Sequence, residues 1–158
     1  MDKFLQIADQ MVIYQLRTGW FQISKLYNEM AIEHDTSVSM AFVLLAINEE
    51  EGTPVTKIAP RMGMEPNSLS RILKSMEEKE FIYRKRDETD KRMAYVCLTE
   101  KGKRKREVAI KAVFRLEKAI VAQIDEKKLA AFFEVAGQIP NAIEEFKEKM
   151  TAFEKSQN

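Results

Sequence analysis

Cysteine, histidine and tryptophan each occur once in this 158-residue chain, at Cys97, His34 and Trp20. One cysteine excludes an intrachain disulfide framework. Cys97 and His34 are far apart in sequence, so no nucleophile–base pair is in view. Glu33 and Asp35 flank His34, but neighbouring positions at a helix end do not converge on a metal. Only five glycines are present, too scattered to form a phosphate-cradling loop. No apolar run approaches the roughly 18 residues that a membrane span requires. The segment from Met1 to Gln6 lacks the basic stretch and apolar run of a secretion signal. These absences lead to the expectation of a cytoplasmic protein that is not an enzyme, needs no cofactor and contacts no membrane. An inert strand position is the expected place of Cys97.

With 45% hydrophobic and 32% charged residues, the chain has the composition of a globular domain. Its formal net charge is only +1, yet the charge is unevenly placed. From Lys57 to Arg106 there are 15 Lys and Arg against 8 Asp and Glu, leaving 11 against 17 in the remainder. A basic middle between acidic ends draws a polyanion to one segment and repels it from the others.

Leu5, Ala8, Val12, Leu16, Gly19, Ile23, Leu26 and Met30 repeat by threes and fours, predicting one long helix over about Asp2 to Glu33. At about 30 residues it would span about 45 Å, more than a chain of this size covers on both faces, so a second copy is expected against it. Ser37 or Ser39 is placed to cap a helix containing Phe42, Val43, Leu45, Ala46 and Ile47. Thr56 is expected to cap a short helix that Gly63 stops. Glu65 and Pro66 then open a helix whose Leu69, Ile72, Leu73 and Met76 form one apolar face, leaving a small, polar, cationic face outside. The runs 81–86 and 93–98 are rich in β-branched and aromatic residues, and the polar stretch 87–92 between them predicts a hairpin. Thr99 and Asp125 are placed to cap two further helices; Pro140 is expected to kink or restart the second. Ile143, Phe146, Met150 and Phe153 carry an apolar stripe onward.

The run from Glu65 to Lys79, followed by Asp90-Lys91-Arg92 and then by Leu98-Thr99-Glu100-Lys101-Gly102, resembles the multiple-antibiotic-resistance regulator (MarR) family. The resemblance is strongest over about Val55 to Gly102. It implies a mainly α fold with a small β wing: a winged helix-turn-helix over 37–103, with dimerisation helices from 1–36 and 104–158. Two departures from the family stand out. Lys79-Glu80 replaces Lys-Gly at a position that prefers a left-handed backbone, and Pro60 lies within the first helix of the helix-turn-helix.

The resemblance further implies a homodimer that binds double-stranded DNA at a pseudo-palindromic operator. The expected regulator is a transcriptional repressor released by a small aromatic or phenolic effector. On the recognition helix Arg71 is placed to read a guanine edge or grip a phosphate; Asn67, Ser68 and Ser70 near its start are candidate base or phosphate contacts, and Lys74 further on is a candidate phosphate contact. In the wing, Arg92 is expected in the minor groove, oriented by Asp90, while Arg84, Lys85, Arg86 and Lys91 attract phosphates. The run Lys101, Lys103, Arg104, Lys105 and Arg106 reads most simply as a solvated face. Candidate effector-lining residues are Tyr14, Arg17, Trp20, Phe21, Tyr27, Met40 and Phe114. The rival expectation is a winged-helix protein–protein adapter or antirepressor that does not bind DNA.

Overall fold

A computed structural model describes residues 3–87 and 93–157. In chain order the elements are α1 (Lys3–Ala8), α2 (Val12–Glu33), α3 (Val38–Ala46), β1 (Thr53–Pro54), α4 (Val55–Met62), α5 (Pro66–Glu78), β2 (Ile82–Arg86), β3 (Ala94–Leu98), α6 (Glu100–Val121) and α7 (Glu126–Gln157). The chain divides into two compact units, Met1–Val113 and Phe114–Asn158, with the division falling inside α6.

The first unit holds a three-helix, three-strand arrangement. Val43, Leu44 and Ile47 from α3 and its end meet Ile58 and Ala59 of α4, and Leu69, Leu73 and Met76 of α5. Phe81, Ile82, Val96 and Leu98 close this core from the sheet. Burying each large side chain stabilises by about 1.5–3 kcal/mol, so this shared core holds α5 against α3, α4 and the sheet. The sheet is antiparallel in the order β1-β3-β2, with Ile82 opposite Leu98 and Arg86 opposite Ala94. Thr53 and Pro54 form β1 by pairing with Val96 and Tyr95. The Thr53 hydroxyl accepts from Asn48 N at 2.9 Å and donates to Ala46 O at 3.3 Å, which satisfies a buried polar residue.

Local signals account for many boundaries. Ser37 accepts from Met40 N at 3.2 Å and so starts α3. Gly63 stops α4 in a left-handed turn at φ 59°, with Met64 N donating to Ala59 O. Gly102 N donates to the Thr99 hydroxyl at 3.0 Å at the start of α6. Asp125 accepts from Lys127 N and Lys128 N at the start of α7.

Three expectations are corrected. The long N-terminal helix is interrupted at Asp9–Met11, where Gln10 N and Met11 N turn back to Ile7 O and Ala8 O, and the Gln15 side chain donates to Asp9 O. Thr56 lies inside α4 and does not cap it, because the helix begins from Pro54, whose fixed φ of −55° already suits a helix start. Finally, of the two outcomes expected at Pro140, the restart is corrected, since α7 runs through that residue.

In the second unit α7 carries a stripe of Ile143, Phe146, Met150 and Phe153, all exposed. Among the described residues no helix is long and apolar enough to cross a membrane.

Candidate nucleic-acid interface

The apolar face of α5 is fixed by its spacing: Leu69, Leu73 and Met76 are buried and Ile72 packs beside them. The opposite face is thereby turned outward, and Asn67, Ser68, Ser70, Arg71 and Lys74 are all exposed. Glu65 precedes the helix in extended conformation and provides no side-chain cap; its carbonyl accepts from Ser68 N and Leu69 N, and Pro66 has no N–H, which leaves Asn67 N as the first-turn donor facing outward. The Ser70 hydroxyl donates to Pro66 O at 3.0 Å, so its oxygen faces a ligand as an acceptor. Arg71 and Lys74 have no ion-pair partner among the described residues. Unpaired guanidinium and ammonium groups on a rigid helix suit the base edges and phosphates of a major groove.

On β2, Tyr83 to Arg86 are all exposed. Arg84 and Arg86 share one face of the strand, since alternate residues point the same way. The Arg84 guanidinium is tied to recognition-helix Glu77 at 3.0 Å, a contact that braces the wing against α5. Asp90, Lys91 and Arg92 lie outside the described residues.

The basic run after the wing is not a uniform solvated face. Lys101 donates to Lys79 O at 2.8 Å, closing the C-terminal end of α5, and Lys105 donates to His34 O, closing α2. Arg106 pairs with Glu49 at 3.2 Å. Lys103 pairs with Glu100 at 2.7 Å, which holds the Glu100 carboxyl below and the Lys103 ammonium above their ordinary values. Tertiary contact with helix ends distant in sequence gives these side chains their roles. Only the i, i+4 spacing of Lys101 and Lys105, which puts both on one face, hinted at it.

Two crevices open in the first unit. One is almost wholly apolar, lined by Tyr27, Met30, Phe42, Leu45, Val108 and Ala112 among others, with His34, Thr36 and Lys105 supplying the polar groups. The other is wider, with Trp20, Phe42, Arg61, Met62 and Met64 in its walls. Trp20 and Phe42 rings lie 5.9 Å apart, and Tyr27 meets Phe42 edge-on at 6.2 Å. Of the expected effector-lining residues, Tyr27 and Trp20 therefore face crevices. Met40 packs against the core, Tyr14, Arg17 and Phe21 line neither crevice, and Phe114 belongs to the second unit. Phe42 and Arg61 were not expected there: one reads as core and the other as a helix C-terminal cation. Among the described residues no group of three or more His, Cys, Asp and Glu side chains is placed to hold a metal ion.

A recognition helix packed on two supporting helices, followed by a β hairpin, is a winged helix-turn-helix. Residues 37–93 match the model of the MarR family. The transcriptional regulator SarZ of Staphylococcus aureus is 33% identical over 82 residues, which cover 52% of this chain. The match spans only 55% of that relative's length. Among solved structures, the S. aureus MepR–DNA complex has a TM-score of 0.77 at 19% identity, covering 84% of this chain and 98% of that one. CouR from Rhodococcus jostii RHA1 bound to p-coumaroyl-CoA has a TM-score of 0.75 at 20% identity, covering 84% and 93%. At these identities the structural matches speak for the fold.

Proposed function

We propose that this chain is a dimeric, sequence-specific DNA-binding transcriptional regulator, a repressor released by a small aromatic or phenolic effector. The observation that carries the reading is the α5 helix: one face locked into the core, the other presenting Arg71, Lys74, Asn67, Ser68 and Ser70, with no competing partner for either cation among the described residues. Arg71 reads a base edge, Lys74 grips phosphate, and Arg86, with Lys91 and Arg92 beyond it, follows the flanking backbone and minor groove. Arg84 adds its charge to the same surface through the guanidinium edge that Glu77 leaves open. MepR, of similar fold, was solved with DNA.

Dimerisation is supported by the exposed apolar residues of α1 and α2 (Phe4, Ile7, Val12 and Ile13 among them) and, separately, of α7. Exposed apolar side chains of this kind suit cover by a partner copy. Two-fold symmetry then gives a pseudo-palindromic site with half-sites about one helical turn apart. The effector reading rests on the two aromatic crevices, and CouR, of the same fold, was solved with an aromatic acyl-CoA.

The test is selection from a randomised duplex library, followed by fluorescence anisotropy on the recovered sequence at several salt concentrations. A palindromic consensus bound with a steep salt dependence supports the reading. Recovery of no consensus, with weak and salt-flat binding, would favour the adapter.

A further inference from the structure

The ends of α2 and α5 are built alike and are held to each other. At the end of α2, Thr36 N donates to Ala31 O at 3.1 Å around Asp35, which is left-handed at φ 51°. At the end of α5, Phe81 N donates to Met76 O at 2.9 Å around Glu80, left-handed at φ 58°. No other described non-glycine residue has a positive φ. Such backbone is unfavourable for L-residues and persists where the surroundings over-determine it.

Here the surroundings are charged. Lys79 Nζ sits 2.8 Å from Asp35 Oδ1 and joins one turn directly to the other. The first two turns of α6 grip both helix ends: Lys101 donates to Lys79 O and Lys105 to His34 O. Both ammonium groups also lie over the Phe81 ring, 5.3 and 5.7 Å from its centre, and Phe81 is fully buried. Helix C-termini carry partial negative charge, which favours ammonium groups there. The Asp35 carboxylate faces Lys79, Lys101 and Lys105, which together hold its pKa down. Removing that carboxylate leaves three neighbouring cations without a counter-charge.

The two helices so joined have different tasks. α5 presents the reading face, while α2 carries part of the exposed apolar surface assigned above to the dimer. The angle between them therefore sets the distance between the two recognition helices of a dimer. We propose that Asp35, Lys79 and Lys101 are positioning residues that fix the half-site spacing this protein accepts, without touching DNA bases. The inference rests on the DNA-binding reading.

The experiment uses the full chain and the duplex selected above, with one or two base pairs inserted at or deleted from its centre. Asp35→Asn keeps a residue that tolerates the left-handed turn, and Lys101→Met keeps the aliphatic stem over Phe81, so the double variant removes charge and little packing. Wild type should discriminate against altered spacing by about tenfold or more, since a register error misplaces a whole recognition helix. In the double variant that ratio should fall to about threefold, while base preference within each half-site is unchanged. Lys79→Arg should retain the wild-type ratio. If circular dichroism shows the double variant unfolded, Lys79→Gln alone takes its place. An unchanged spacing ratio in the folded variant would overturn the inference, as would equal losses on every spacing and every half-site base. Failure of wild type to select any duplex would overturn the DNA reading, and this inference with it.

Discussion

Replacing Glu80 by glycine should stabilise the protein, although it deletes a whole side chain. Glu80 stands at φ 58° after α5 and closes its last turn through Phe81 N to Met76 O. Left-handed backbone costs an L-residue about 1–2 kcal/mol. Glycine avoids that cost but adds about 0.5–1 kcal/mol of unfolded-chain entropy, leaving a net gain of about 0.5–1 kcal/mol. The Glu80 side chain is exposed, while its carbonyl, which accepts from the Thr99 hydroxyl at 2.6 Å, survives the substitution. For a chain of this length that gain is a rise in Tm of about 2 °C, measurable by calorimetry against wild type. Glu80→Ala is the control, because it removes the same carboxylate and keeps the backbone cost; it should give no rise. Equal Tm values for the glycine and alanine variants, or a fall with glycine, would refute the reasoning.

Other substitutions separate further parts of the account. A Cβ on Gly102 would lie 1.9 Å from Phe81 O, a backbone atom that cannot yield, so Gly102→Ala should destabilise by about 3 kcal/mol or more in denaturant unfolding. Thr99→Val should cost about 1–2 kcal/mol by stripping the α6 cap, while Thr99→Ser should recover most of it. Lys79, Lys105 and Lys101 lower the Asp35 pKa from 3.8, so its contribution is present above that value and lost as pH falls through the lower folded value. In acid titrations below about pH 4, Asp35→Asn should therefore lose less stability than wild type. Arg84→Ala should lower the salt slope of DNA binding by less than Arg71→Ala or Lys74→Ala, because Glu77 already offsets its charge.

What could be read from the sequence was mostly local. The period of Leu69, Leu73 and Met76, the caps at Ser37, Thr99 and Asp125, and the stop at Gly63 depend on residues within a turn or two of each other. The left-handed position at Glu80 was legible only through the family resemblance, in which a glycine stands there. The break at Asp9–Met11 was not, since neither glycine nor proline marks it and a Gln15 side chain helps to hold it. Strand β1 was hidden because two residues carry no period and form a strand only when Val96 and Tyr95 arrive from forty residues away. The exposed face of α5 was visible as the complement of an apolar stripe. The contacts of Lys101 and Lys105 needed the ends of α5 and α2, which no local pattern supplies.

The central claim is that α5 reads base sequence through Arg71. It is tested most directly by anisotropy of wild type and Arg71→Ala on the selected duplex and on a scrambled duplex of equal length, at matched salt. Wild type should prefer the selected sequence by about a thousandfold or more, and Arg71→Ala should lose about 10- to 100-fold of that preference while its scrambled-DNA affinity changes much less. Equal loss on both duplexes would make Arg71 a phosphate contact, and no wild-type preference would contradict the account.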